Sequence, residues 1–368
     1  MMKNIIKFIL CFLLINNSKA QNDYKSCCYS NLKDIGIQHD TSLLYLSGEL
    51  HYFKNNEQIQ FDMLEHLYEI KNVRVLLIEG GYSMGIVLNN FITGTDSVWE
   101  RMASLNRELI FYKKIRKLNM NLPDSSRIRI EGIDLSSGDN FFLMPALKSL
   151  WPNKENKESE LKSIQIIKKL FQELEPLNWL KSTNTDLVFT SLKYDLENNE
   201  NEFKLFWGNN FQAVKNIIET QAKSRAVYND KNDSRGKFDQ REIFMSNKIK
   251  MLYQQYPNVS FYGQFGRAHI SKEFMEKWFV LTNWNSFASM LNNDLDSPCR
   301  GKVSTYFIYY PNRRKDRKSK LISNVCEILK KNNIELDKGK CKVLDVRCLN
   351  KSTVFNKREI DFIIVNKY

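Results

Sequence analysis

Short runs of β-branched and aliphatic residues recur along this chain, and longer segments with helical spacing separate them. Leu43–Ser47, Val73–Ile78, Arg127–Ile133 and Val259–Gln264 are the first four such runs, with Val303–Tyr310 and Asp361–Val365 following late. Val73–Ile78 is nearly continuous in apolar character, the pattern of a strand buried on both faces in a parallel sheet. Between the runs, Ile59–Ile70 sets Met63, Leu64, Leu67 and Tyr68 on one side of a helix, and Trp99–Leu118 and Gln240–Gln255 also have helical spacing. Strand alternating with helix predicts an α/β fold, a central parallel or mixed sheet flanked by helices. From about 151 to 228 the strands stop, and Lys-, Glu- and Asn-rich helical segments carry Phe171, Trp179, Phe203, Trp207 and Phe211. This stretch reads as a helical insertion in a single domain over 21–368, closed by a polar linker at Asn229–Lys237. With 42% hydrophobic residues among 368, the chain can bury a sizeable core. It has no repeat of solenoid period and no apolar run of 18 residues, so a membrane span is not expected.

The first twenty residues read as an export signal. Lys3 and Lys7 lead into the apolar run Phe8–Ile15, and Ser18-Lys19-Ala20 offers a small-x-small cleavage site. Cys11 lies inside the apolar run after Leu10, which argues against a lipidated cysteine. Removing 1–20 takes away three lysines and no acid, so the formal charge of +13 falls to +10. The densest basic run, Arg313-Arg314-Lys315-Asp316-Arg317-Lys318, reads as a solvated loop, and no nucleic-acid motif accompanies it. The expectation is a periplasmic or secreted protein with a small-molecule substrate, no nucleic-acid partner and no membrane span. Six cysteines remain after cleavage: Cys27, Cys28, Cys299, Cys326, Cys341 and Cys348. An even number in an exported chain suggests disulfides, with Cys341–Cys348 able to close a short loop.

The chemistry gathers at the ends of the strand runs. The first passes into Gly48-Glu49-Leu50-His51, the second ends in Glu79-Gly80-Gly81 and the third in Gly132-Ile133-Asp134. The fourth passes into Gly263-Gln264-Phe265-Gly266-Arg267-Ala268-His269. In an open α/β sheet, ligands bind beyond the carboxyl ends of the strands, so these residues are the candidates for one site. Glu49 and His51 are two apart and project to the same side of an extended chain. His66 shares its helix with Asp62 and Glu69 and reads as part of a solvated face, and His39 falls in a polar loop. Gly81-Tyr82-Ser83-Met84-Gly85 matches the G-x-S-x-G of a nucleophile elbow. Too few strands precede it for that fold and no HGGG-type segment lies upstream, so Ser83 reads instead as a helix N-cap.

Taken in order, Gly48-Glu49-Leu50-His51 and Glu79 resemble the erythromycin esterase/ChaN/Tiki-TraB superfamily. Leu88-Asn89-Asn90-Phe91-Ile92-Thr93-Gly94, Gly132-Ile133-Asp134, Arg241 with Met245 and Asn247, and Gly266-Arg267-Ala268-His269 extend the resemblance over roughly 43–270. It implies a hydrolase in which His51 activates water for attack on an ester, a role suited to a group that titrates near neutrality. By the same resemblance Glu49 and Glu79 orient the imidazole, and His269 and Arg241 stabilise the oxyanion or protonate the leaving alkoxide. Asp134, Gln264 and Arg267 are the implied substrate-binding residues. The Glu-x-His spacing is closer to ChaN-like and Tiki/TraB-like members, and Gln60 or Lys54 stands where the esterase branch tends to place an Arg. The main reading therefore needs no cofactor, and two alternatives stand beside it. One is a metal-dependent hydrolase or peptidase using Glu49, His51, Glu79 and His269 as ligands to a divalent metal. The other is a haem-binding uptake protein with Tyr52 or His51 as axial ligand.

Overall fold

The computed structural model describes residues 28–30, 32–35, 40–51, 53, 56–94, 109–135, 139–152, 159–173, 178, 181–229, 234–278, 281–310, 330, 341–348 and 360–366. In chain order the elements are β1 (Cys28–Tyr29), β2 (Leu44–Glu49), α1 (Asn56–Lys71), β3 (Val73–Ile78), α2 (Tyr82–Ile92), α3 (Leu109–Met120), β4 (Arg129–Gly132) and α4 (Asn140–Ser149). The helical stretch follows as α5 (Lys162–Glu173), α6 (Ser182–Asn198), α7 (Glu200–Trp207) and α8 (Phe211–Asn229). After α9 (Ser234–Gln255) come β5 (Ser260–Gly266), β6 (Met275–Trp278), β7 (Leu281–Trp284), α10 (Phe287–Asn293), β8 (Val303–Tyr309), β9 (Cys341–Asp345) and β10 (Phe362–Asn366). The fold is α/β with a mixed sheet and helices, as the alternation predicts.

The chain forms two compact units, one from Met1–Lys71 with Gln264–Tyr368 and the other from Asn72–Gly263. In the first unit the strands run in the order β1-β9-β10-β8-β2. β2 and β10 both pair parallel to β8, while β9 is antiparallel to β10 and β1 antiparallel to β9. β2 is buried from Leu44 to Gly48 and emerges only at Glu49. It runs two residues past the predicted end at Ser47, because Gly48 still pairs with Phe307. A central strand covered on both faces cannot hold a charge without a partner, so its first carboxylate comes where cover ends. Tyr306 on β8 stacks on Phe362 of β10, their rings 4.6 Å apart and within 6° of parallel.

In the second unit β3 and β4 pair parallel from Val75–Arg129 to Ile78–Gly132. Helix α2 lies against β4 at backbone distance, and glycines allow it. A Cβ on Gly85 would stand 2.5 Å from the Gly132 amide nitrogen, and one on Gly132 would strike the Gly81 carbonyl. The G-x-S-x-G sequence is thus a close-packing motif, and Ser83 is 0% exposed in the first turn of α2. The N-cap reading of Ser83 is corrected as well: Gly81 is the cap, and the Asp139 carboxylate accepts from the amides of Ser83 (3.4 Å) and Met84 (3.0 Å).

Residues 159–229 contain no strand among those described, and their core is aromatic. Trp151 stands edge-on to Phe171 (5.2 Å), Phe206 (5.3 Å) and Trp207 (5.5 Å). Trp207 is packed inside this cluster, and Trp179 lies outside the described residues. The solvated-face reading of His66 is also corrected. His66 is 6% exposed, and burial lowers its pKa, with Lys33 acting in the same direction and Glu69 and Asp34 opposing. The acids at 62 and 69 mark the flank of that face, which helical spacing alone did not resolve. Cys28 and Cys299 are thiols, so neither takes part in the expected disulfide framework. Cys27 and Cys326, the side chains of Cys341 and Cys348, His39, and the segments 1–20 and 313–318 lie outside what is described.

Replacing Gly132 by Ala is expected to destabilise the protein by about 1–3 kcal/mol, the range for overpacking a tight contact. Urea unfolding monitored by circular dichroism measures it, and an unchanged midpoint would remove the packing account of the glycine motif.

Candidate active site

Two polar clusters stand at strand ends, one in each unit. In the first unit the cluster begins where β2 leaves cover. Nδ1 of His51 lies 3.1 Å from Oε1 of Glu49, the same-side contact that Glu-x-His spacing predicts. The imidazole side chain is 51% exposed, whereas that of Glu49 is mostly covered. The second Glu49 oxygen accepts a hydrogen bond from Nε2 of Gln264, which also donates to the Asn56 carbonyl at 3.3 Å. Oε1 of Gln264 accepts from the Ser47 hydroxyl at 3.3 Å. Gln264, expected to bind substrate, therefore fixes the carboxylate that contacts His51.

Sequence reasoning missed a second layer. Asn56, the first residue of α1, donates through Nδ2 to the Leu50 carbonyl at 2.8 Å and accepts at Oδ1 from the Tyr310 hydroxyl. Burial first, then the Glu49 charge, pushes the Tyr310 phenol well above its ordinary pKa, so it stays a neutral donor. Tyr310 was legible only as the end of a strand run, and Asn56 drew no reading from the sequence. Neither carries a motif of its own.

Arg267 and His269 occupy a 3-10 turn that follows β5 directly. Arg267, also expected to bind substrate, is 4% exposed. It donates to the Ile308 carbonyl through Nε (3.1 Å) and Nη2 (2.5 Å), with its guanidinium over the rings of Phe307 and Tyr310. His269 is buried beside Phe265 and Phe287. The turn sits hard against β2: a Cβ on Gly48 would lie 2.5 Å from Ile270 Cδ1 and 3.3 Å from Arg267 Cα. Gly48 is therefore what lets the Glu-x-His segment and the Arg267–His269 turn pack together.

In the second unit, Glu79 follows β3 and Asp134 follows β4, and Arg241 of α9 joins them. Arg241 binds Asp134 in bidentate fashion, Nε to Oδ1 at 3.0 Å and Nη2 to Oδ2, and reaches Glu79 Oε1 at 3.2 Å. Burial alone lowers the guanidinium pKa, and the hydrogen bonds and charge of Asp134 more than offset it, so the net shift is upward. Expected as an oxyanion donor, Arg241 is here the shared partner of two carboxylates. Tyr228, which no motif flagged, donates to the Leu135 carbonyl at 3.1 Å. Burial, together with the charges of Asp134 and Glu79, raises its pKa. Asp139 packs against the Gly80–Gly81 turn in the same unit. A Cβ on Gly81 would meet the Asp139 carboxyl, and Gln221 donates to that carboxyl at 3.2 Å.

No family model matches the sequence, and no curated protein matches it. Solved structures do. A protein of Bacillus cereus superposes over 95% of this chain and 97% of its own with a TM-score of 0.61 at 12% identity. An erythromycin esterase mutant in its open conformation superposes over 89% of this chain and 91% of its own, with a TM-score of 0.54 at 11% identity. A haem-binding ChaN of Campylobacter jejuni covers 89% of each chain with a TM-score of only 0.33 at 13% identity. The chain thus has the fold of an erythromycin esterase, as the ordered motifs imply. Among the described residues no helix is long and apolar enough to cross a membrane, and no group of three or more His, Cys, Asp or Glu is placed to hold a metal ion. Tyr52, the alternative haem ligand, lies outside the described residues.

Burial pushes the Asp139 carboxyl up to about 6, against the pull of its amide donors. A folded-state pKa above the unfolded value means the native state holds its proton longer. Asp139's contribution is therefore fully present below about pH 4 and is lost as pH rises through 6. The loss amounts to about 3 kcal/mol for a group this deeply buried. Urea unfolding between pH 4 and 7, compared for wild type and Asp139→Asn, is expected to show that slope as the difference between the two curves. Parallel curves would refute it.

Proposed function

We propose that this protein is an exported ester hydrolase in which His51 activates water. The observation that carries the reading is the Glu49–His51 contact, with Glu49 held on its other oxygen by Gln264. A carboxylate at Nδ1 fixes the tautomer that leaves Nε2 with its lone pair, and stabilises the imidazolium once formed. Nε2 takes a proton from water as the oxygen attacks the ester carbonyl, giving a tetrahedral oxyanion. Collapse of that oxyanion breaks the bond to the leaving oxygen, and the imidazolium returns its proton to the alkoxide. His269, on the turn packed against Gly48, is assigned to the oxyanion. Gln264, Ser47 and Asn56 are positioning residues that fix the carboxylate and the start of α1. Water, not a serine, is the nucleophile in this scheme, in keeping with the full burial of Ser83.

The shared fold with an erythromycin esterase supports ester chemistry, and the segment 1–20 supports export. The test is turnover of p-nitrophenyl acetate, with and without a chelator. His51→Ala is expected to lose at least about 100-fold in kcat/KM, the typical contribution of a general base. Glu49→Gln should fall in kcat more than in KM, and Ser83→Ala should keep its turnover. Full activity in His51→Ala, or its loss in Ser83→Ala with the fold intact, would overturn the reading.

A further inference from the structure

Pairing of β2 with β8 runs from Leu44–Val303 to Gly48–Phe307 and stops there. Past that point β2 continues as Glu49-Leu50-His51, while β8 ends and passes into Tyr310. The ladder to β8 therefore does not aim His51 at Glu49. That contact depends on the peptide of Leu50, the residue between them, and an error of about 1 Å in such a contact can cost on the order of 100-fold in rate.

Residues remote in sequence hold that peptide. Nδ2 of Asn56 donates to the Leu50 carbonyl at 2.8 Å, and Oδ1 of the same amide accepts from the Tyr310 hydroxyl. An amide carries its donors on one arm and its acceptor on the other, so the Tyr310 proton selects the orientation in which Asn56 can donate to Leu50. The backbone amide of Leu50 also acts on the Tyr310 hydroxyl, opposing the rise that burial gives its pKa. Tyr310 is thus tied to Leu50 twice, once through Asn56 and once directly.

Tyr310 is itself held. Its ring centroid lies 4.6 Å from that of Phe53, two residues after His51, and the Arg267 guanidinium stands 5.2 Å from it. Arg267 also lies 4.5 Å over the Phe307 ring and donates twice to the Ile308 carbonyl, so one buried side chain grips the end of β8 at three residues. A cation over ring faces, away from water, makes that grip firm.

We propose, resting on the hydrolase reading above, that Tyr310 is a positioning residue for His51: through Asn56 it holds the Leu50 peptide that sets the Glu49–His51 contact, and Arg267 serves the site by keeping Tyr310 in place. Neither residue need touch substrate.

The experiment measures kcat and KM for p-nitrophenyl acetate on wild type, Tyr310→Phe, Asn56→Ala, Arg267→Lys and Tyr306→Phe, with urea unfolding of each. Tyr306→Phe is the matched control, since it removes a buried hydroxyl from the same strand but one that holds neither Asn56 nor Leu50. Tyr310→Phe is expected to lose about tenfold in kcat with KM nearly unchanged, the yield of about one neutral hydrogen bond. Asn56→Ala carries the same test one link further on, and Arg267→Lys, which keeps the charge but not the forked grip, should show the same split. Added to Glu49→Gln, Tyr310→Phe should cost far less than tenfold, because the contact it aims is already gone. The Cε1–H magnetic resonance signal of His51, identified by its absence in His51→Ala, should move in Tyr310→Phe and stay in Tyr306→Phe. An unchanged kcat in folded Tyr310→Phe and Asn56→Ala, an equal loss in Tyr306→Phe, or a full tenfold loss on top of Glu49→Gln would overturn the positioning role and leave the hydrolase reading standing. Absence of turnover in wild type would remove the hydrolase reading, and the His51 signal alone would then decide whether Tyr310 aims that imidazole.

Discussion

Parallel pairing is the constraint from which the rest of the first unit follows. Because β2 and β10 both run parallel to β8, their carboxyl ends reach one edge of the sheet, and whatever residue follows each strand arrives there. Cover on both faces keeps β2 apolar or small up to Gly48, so Glu49 is its first charge. The same rule delivers Glu79 and Asp134 at the ends of β3 and β4 in the second unit. Strand ends in such a sheet are where polar chemistry is cheapest to place, since the backbone there turns toward solvent or toward other polar segments.

Once delivered, these groups are held by hydrogen bonds from residues with no chemistry of their own. Glu49 takes Gln264 on one oxygen and His51 on the other, and Gln264 is held in turn by Ser47. Arg241 holds Asp134 through two nitrogens and Glu79 through one of them. Each arrangement satisfies a carboxylate that burial would otherwise penalise, and each fixes a geometry. Glycine is the other half of the device. Gly48 admits the Arg267–His269 turn, and Gly85 and Gly132 admit backbone-to-backbone packing of α2 on β4.

Much of this was legible in the sequence. The bounds of Val73–Ile78 match β3, since an apolar run that long in so short a space has few alternatives as a strand. Glu49 and His51 meet because alternation in extended chain is a local property. The reading failed where burial depends on partners far away in sequence. His66 lies between acids that suggested solvent, yet α1 turns it inward. Ser83 had the spacing of a nucleophile and then of a cap, but the cap is Gly81 and the carboxylate that serves it is Asp139, more than fifty residues on. The contact of Arg267 with the Ile308 carbonyl likewise joins segments that no local spacing connects.

The sequence by itself determined the α/β class, the strands that matter and the residue types that stand at their ends. Periodicity and the exclusion of charge from covered strands are local and leave a direct trace in the order of residues. Only the tertiary structure decided which of those residues act together. It gave Gln264 to Glu49, gave Arg241 to Asp134 and Glu79, and brought Tyr310 onto Asn56. Those pairings depend on strand register and on close approach through glycine, and both are set by contacts between segments remote from one another along the chain.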